Sequence, residues 1–337
     1  MVVIMKIGKQ SFEFNQVYLL DTSVAIGSLE AKGKISGYAD IIYDDSYFGE
    51  KSFEAAERKM QRETINNLKH KQLMIDQNID VLFGGDLINQ EIVSTFTMKD
   101  FDIPFIALYG ACSTFAIATI MAAIFVENNL AKNAIAMASS HNQTAERTFR
   151  FPNEYGGAKA NTTTFTVTGC GAMLLSNKKS KIKVTRATIG KVCDVNYNNQ
   201  FDLGSAMVPS AIETLVQHFE DFKVNADDYD LILTGDLSQI GRSLVYQALH
   251  DRYGSFKNYD DCGLYVYDYF EQKVYSGGSG CACSAVVTAG YVKAKLLAGE
   301  LKKVLICATG ALFNATTTLQ KESIPSIAHA FVLEAIE

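Results

Sequence analysis

Apolar positions along this chain recur with two periods, and the switches between them mark the elements. Phe53, Ala56, Met60, Ile65 and Leu68 return near helical spacing among charged residues, which predicts a helix over 53–74. Short apolar runs bounded by glycine or polar turns predict buried strands at 79–87 (IDVLFGGDL), 103–109, 134–138 and 181–188. Residues 165–176, FTVTGCGAMLLS, read as a strand with a glycine break. Between 109 and 140 a loop ends at Gly110-Ala111-Cys112-Ser113, and a helix apolar on every side follows. The first fifty residues mix short β-like runs, such as Val17-Tyr18-Leu19-Leu20, with glycine turns and a polar Tyr- and Asp-rich stretch. They are expected to be a peripheral entry segment of loops or lids.

The pattern then repeats. YDLILTGDL at 229–237 echoes IDVLFGGDL, so Asp86 recurs as Asp236. Gly280-Cys281-Ala282-Cys283-Ser284, a long helix and a strand at 304–310 echo the 110–140 stretch. A helix at 206–219 precedes the second copy as 53–74 precedes the first, and 329–333 closes it as 171–175 closes the first. Strand–helix–strand units with glycine turns predict a duplicated, parallel α/β fold. The expected halves are 1–190, including the entry segment 1–50, and 191–337. Sites in such sheets form beyond the carboxyl ends of strands, so the loops after Phe83, Tyr109, Leu233 and Tyr275 are expected to converge.

Composition narrows the class. With 48% hydrophobic and 20% charged residues over 337 positions, a large core is expected and disorder is not. A net charge of −6 argues against nucleic acid as a partner. Seven cysteines, an odd number without a paired CxxC pattern, fit reduced thiols in a cytosolic setting. MVVIMKIGKQ lacks the pattern of a signal peptide. The apolar run at 115–126 is shorter than the roughly 18 residues of a membrane span. Gly84-Gly85 and Gly277-Gly278 lack dinucleotide-loop spacing, the CxC of Cys281 and Cys283 lacks zinc spacing, and no cofactor or metal is expected.

Cys112 carries the candidate chemistry. A thiol where a loop turns into a helix meets unpaired N–H groups that favour its thiolate, and so reads as an acyl-transfer nucleophile. It reads equally as a small packed residue. Two similar halves, with a cysteine opening the central helix of one and a glycine loop opening that of the other, resemble the thiolase superfamily. That resemblance implies a layered αβαβα fold and makes Cys112 the counterpart of the family nucleophile. Condensing enzymes of the superfamily complete a Cys-His-Asn trio. Here the histidine position falls in Thr234-Gly235-Asp236-Leu237-Ser238-Gln239, and Ser279 stands in place of the asparagine. Two neutral donors that would stabilise an oxyanion are thereby lost.

A closer resemblance spans the whole chain. It rests on Gly85-Asp86-Leu87-Ile88-Asn89-Gln90, Glu154-Tyr155-Gly156-Gly157, Gly277-Gly278-Ser279-Gly280-Cys281-Ala282-Cys283 and Gln320-Lys321-Glu322-Ser323-Ile324-Pro325, among other runs. These are similar to the SpoVAD family of thiolase-like sporulation proteins. The family implies a non-enzymatic protein that binds dipicolinic acid, free or as its calcium chelate. It also implies work with the other SpoVA proteins in uptake into the developing spore, with a link to germination, and a peripheral place at the forespore or spore inner membrane. The alternative is a condensing or acyl-transfer enzyme with Cys112 as nucleophile and His141 or His329 as a displaced base. Thiolase relatives imply a homodimer.

A flat dianion asks for cations or N–H donors around a planar slot. The expected ligand set is Cys112, His141, Arg147, Asp236, Ser279, Lys321 and His329. His141 reads as a ligand or as a capping or core histidine, and His329 also as a satisfied core residue. Arg147 and Arg150, three apart, are expected to share a face, Arg150 also reading as an ion-paired surface residue. Asp86 and Asp236 also read as turn or helix caps.

Overall fold

The computed structural model describes residues 5–73, 78–150, 156–268 and 270–336. Met74, Glu154 and Tyr155, which the sequence reading placed in a helix end and in a motif, lie outside the described residues. The chain runs β1 (Met5–Ile7), β2 (Ser11–Glu13), β3 (Tyr18–Ile26), β4 (Ile41–Ile42), α1 (Phe53–Leu73), β5 (Val81–Gly85), α2 (Ile92–Met98), β6 (Phe105–Ala107), α3 (Thr114–Glu127), β7 (Asn133–Ser140), α4 (Asn142–Phe149), β8 (Phe165–Thr166), β9 (Gly169–Ser176) and β10 (Ile182–Ile189). It continues through α5 (Leu203–Phe222), β11 (Leu231–Thr234), α6 (Ser238–Tyr253), β12 (Tyr259–Asp261), α7 (Gly263–Val266), β13 (Gly278–Ser279), α8 (Cys281–Val286), α9 (Lys293–Leu297), β14 (Lys303–Ala311), α10 (Ala315–Leu319) and β15 (Ser326–Ala335). A π-helical turn, Val287–Val292, joins α8 to α9.

Ten strands follow one path, β12-β11-β14-β15-β10-β3-β9-β7-β5-β6. The path contains one five-stranded arrangement twice. β6, β5 and β7 are parallel, as are β12, β11 and β14. β9 adds antiparallel to β7 and β3 antiparallel to β9, as β15 adds to β14 and β10 to β15. The expected parallel pairing thus holds in the three-stranded part of each half, and antiparallel pairs extend it. β10 pairs along its length with β15 and meets β3 through two residue pairs only.

Strand alternation separates three cores. Ala134, Ala136 and Ala138 of β7 join a central core with α3, α8 and the matching Val304, Ile306 and Ala308 of β14. Ile135 and Met137, on the opposite face, pack with Met60, Ile65 and Leu68 of α1. Leu305 and Cys307 pack with Ala211 and Leu215 of α5. The layers are therefore helix, sheet, helix pair, sheet, helix. α3 is apolar all round because sheets cover it on two sides and α8 lies alongside.

The entry-segment reading is overturned for β3. Instead of a short peripheral run, it is a nine-residue strand inside the sheet between β9 and β10. Thr22 and Ser23 break its apolar pattern, yet both are buried and satisfied. The Thr22 hydroxyl donates to the Ala289 carbonyl at 2.7 Å, and Asn67 donates to Ser23 Oγ at 2.9 Å.

Candidate functional site

The turn before α3 is knitted by its own side chains. Ser113 Oγ donates to the Gly110 carbonyl at 2.6 Å and Thr114 Oγ1 to the Ala111 carbonyl at 2.7 Å, while the Gly110 N–H reaches Thr114 Oγ1 at 3.0 Å. Ala111 takes a left-handed conformation, φ 49°, a strain this network holds in place. The turn leans on β14: a Cβ on Gly310 would lie 2.3 Å from the Gly110 carbonyl oxygen, so only glycine lets the halves meet here.

Cys112 faces Asp236 from the loop after β11. This carboxylate is buried and collects three donors. Ser279 Oγ reaches Oδ2 at 2.9 Å, the Gly280 N–H reaches it at 3.1 Å, and Thr309 Oγ1 reaches Oδ1 at 2.8 Å. Asp261 shapes the loop that carries Asp236, accepting from the Leu237, Ser238 and Gly263 N–H groups, each at 2.9 Å, and from Thr234 Oγ1 at 2.7 Å.

The electrostatics reverse the expectation from the helix end. Burial, and then the Asp236 carboxylate, push the Cys112 thiol well above the ordinary range, with only a partial counterweight from Arg150 and the Gly280 N–H. α3 does begin beside the thiol, but desolvation and an adjacent anion outweigh its dipole. Burial raises Asp236 as well, against its hydrogen bonds.

A narrow cavity of about 20 Å3, close to the space of one water, opens onto Cys112. Leu87, Tyr109, Ala111, Ser279 and Gly280 bring to it the loops after β5, β6 and residue 275, as the sequence reading expected. Phe149 and Phe313 line it as an edge-to-face pair with centroids 5.8 Å apart. Arg150 lines it too. Its side chain is 7% exposed and donates to the Thr164 carbonyl, to Thr164 Oγ1 at 3.1 Å and to Ser279 Oγ at 3.3 Å. Arg150, Ser279, Asp236 and Cys112 thus form a continuous polar chain.

Of the expected ligand set, Cys112, Asp236 and Ser279 come together. The others do not. His141 caps α4: its Nδ1 accepts from the Gln143 N–H at 3.2 Å, and its Nε2 lies 2.9 Å from the Ser46 carbonyl, which needs the proton there. Burial lowers its pKa to about 4, so the ring is neutral and committed. It lines a separate cavity of about 110 Å3 with Glu30, Asp45 and Phe48. His329, in β15, accepts from the Gly190 N–H at 3.2 Å, and burial lowers it to about 4. Lys321 is exposed, in the loop after α10, and does not line the Cys112 cavity. Arg147 stands 3.5 Å from Glu54 and over the Phe53 ring at 5.3 Å, on the outer side of α4.

Arg147 and Arg150 do not share a face because α4 ends between them. Arg150 is its C-cap, with φ −119° and ψ −137°, and its side chain is buried. The signal for Arg150 was Glu146 four residues earlier, a buried acid whose carboxylate lies 3.5 Å from it. Phe149, Phe313 and Thr309 had no sequence signal beyond their place next to strand or helix ends. Asp86 is a cap, accepting from the Ile88 and Ser94 N–H groups at 2.8 and 2.7 Å.

Three comparisons with known proteins agree with this arrangement. The chain is similar in structure to 3-oxoacyl-[acyl-carrier-protein] synthase III from Aquifex aeolicus VF5, with a TM-score of 0.56, 12% identity, and coverage of 94% of this chain and 99% of that one. It is similar to a variant of OleA from Xanthomonas campestris, with a TM-score of 0.57, 11% identity, and coverage of 95% and 99%. At such identities the likeness shows the thiolase-like fold. In sequence, the chain is 44% identical over 329 residues to stage V sporulation protein AD of Bacillus subtilis (strain 168), covering 97% of each. Residues 8–334 match the family described as stage V sporulation protein AD (SpoVAD). The chain therefore belongs to the SpoVAD family of sporulation proteins, built on a thiolase-like fold.

Proposed function

We propose that this is a non-enzymatic binding protein for dipicolinic acid, taken free or as its calcium chelate, in the cavity at Cys112. The observation that carries the reading is the buried Asp236 carboxylate set beside Cys112, hydrogen-bonded to Ser279, Gly280 and Thr309. A thioester-forming cysteine needs a base to take its proton and neutral donors for the oxyanion. Here the thiol faces a buried carboxylate that holds the proton on sulfur and opposes developing negative charge. Among the described residues, no histidine lines the cavity. What remains is a slot with aromatic walls and a buried guanidinium, suited to a flat aromatic acid. As it stands the slot holds about one water, so entry of a planar ring requires Phe149 and Phe313 to part.

Calorimetric titration with dipicolinate, with and without calcium, tests this. Saturable binding that Asp236→Arg or Phe313→Ala alters is the expected result, and no heat at millimolar ligand refutes it. The place of Cys112 just before α3, at the cavity, favours acyl transfer as a second reading. A mass shift of an acyl group on Cys112 after incubation with acyl-CoA would establish that reading instead.

Uptake into the spore places such a protein beside membrane partners. Among the described residues, no helix is long and apolar enough to cross a membrane. The proposed role therefore calls for docking onto integral SpoVA proteins at the forespore or spore inner membrane. A homodimer fits the free edge at β6, where Ile106 and Ala107 are exposed.

A further inference from the structure

We infer that Arg150 and Thr166 form a subsite for one carboxylate in the wall of the Cys112 cavity, so that a bound acid is gripped by a single carboxylate and any second one points outward. This deepens the reading above and rests on the same cavity.

Two buried donors carry the inference. Both Arg150 and Thr166 line the cavity. Arg150 has five N–H donors in a rigid fork. Its Nη atoms are used on Thr164 and Ser279, and its buried Nε has no hydrogen-bond partner among the described residues. Thr166 is fully buried, and its Oγ1 likewise has no partner among the described residues. Its backbone carbonyl is engaged, accepting from Asn142 Nδ2 at 3.2 Å. Buried donors left open are costly unless a ligand or water fills them, and a carboxylate accepts from a guanidinium and a hydroxyl together. Glycine at 280 keeps this wall clear: a Cβ there would stand 3.0 Å from Thr166 Cγ2 and 2.8 Å from Ser140 Oγ.

Charge sets the count at one. Arg150 is the single cationic side chain among the described residues that line the cavity. Its guanidinium already lies 3.5 Å from the buried Glu146 carboxylate, which also holds Lys159 at 3.0 Å. On the other side stands Asp236, reached through Ser279. A second carboxylate inside the cavity would meet Asp236 with no cation to match it. It therefore faces the mouth, free to carry a cation from solution.

Calorimetry with three probes tests the subsite: dipicolinate with two carboxylates, picolinate with one, and picolinamide with none. Picolinate is expected to bind within about tenfold of dipicolinate and picolinamide at least about tenfold more weakly than picolinate, in line with one charged hydrogen-bonded anchor. Arg150→Met is expected to weaken both acids by about tenfold or more and to remove the gap between picolinate and its amide. Thr166→Val, which keeps the side-chain volume, should weaken both by a smaller factor and decides the matter if Arg150→Met does not fold. Dipicolinate binding a hundredfold tighter than picolinate, or acid binding untouched by both variants, overturns the inference. Picolinate held through Arg150 while dipicolinate fails to bind would leave the subsite standing and remove the dipicolinate reading. Failure of both acids at millimolar concentration overturns the two together.

Discussion

Replacing Asp236 by asparagine should awaken Cys112. In the folded protein the thiol sits beside a buried carboxylate that accepts from Ser279, Gly280 and Thr309. After burial, this anion is the largest influence holding the proton on sulfur. A full charge at contact distance near 4 Å is worth about 4 kcal/mol at an effective dielectric of roughly 20, and each pKa unit is about 1.36 kcal/mol. Asp236→Asn therefore lowers the thiol pKa, while burial keeps it above that of a free thiol. Near pH 8 the thiolate fraction, and with it the alkylation rate, should rise at least about tenfold. The assay is the rate of iodoacetamide labelling of the Cys112 peptide by mass spectrometry, with partly exposed Cys193 as the internal reference. The amide leaves an N–H facing former donors, so a stability loss of about 1–3 kcal/mol accompanies the change. The reasoning fails if a folded Asp236→Asn variant labels Cys112 no faster than the parent.

Glu57 and Glu91, both buried, have pKa values raised to about 8, mainly by desolvation and then by the nearby Asp86 charge. Their protons bind more tightly in the folded than in the unfolded chain, so the stability these two groups contribute is greatest at acid pH and falls as pH rises from about 4.5 through 8. Glu91→Gln should flatten that fall, by up to a few kcal/mol at pH 8.5, as read from urea unfolding midpoints across pH; an unchanged pH slope would contradict the burial argument. Gly310→Ala drives a Cβ to 2.3 Å from the Gly110 carbonyl oxygen, backbone against backbone. It is expected to cost about 1–3 kcal/mol or more in thermal unfolding and to disturb the Cys112 turn. Ile106→Lys on the edge strand β6 should abolish the proposed β6-edge homodimer in light scattering, and a parent protein that is monomeric, or a dimer that survives the substitution, would overturn that contact. Arg147→Ala, outside the cavity, should leave ligand affinity unchanged.

The duplication was legible along the chain. IDVLFGGDL and YDLILTGDL became β5 and β11 at equivalent places in the two halves, and the closing strands β9 and β15 matched as their echo implied. Short-range chemistry writes such elements directly into apolar period and glycine position, and Cys112 and Ser279, both singled out along the chain, line one cavity, with Asp236 hydrogen-bonded to Ser279. What the period could not carry was charge environment. His141 and His329 are spent on backbone partners, because a buried imidazole must satisfy both nitrogens wherever the fold leaves them. Arg150 entered the site and Arg147 left it because α4 stops between them, a boundary that a three-residue spacing does not reveal. The thiol at the start of α3 is the sharpest case. A helix end by itself favours thiolate, and that much belongs to local sequence. Asp236 arrives from far along the chain, and only tertiary structure sets a buried carboxylate against the sulfur and turns the preference around.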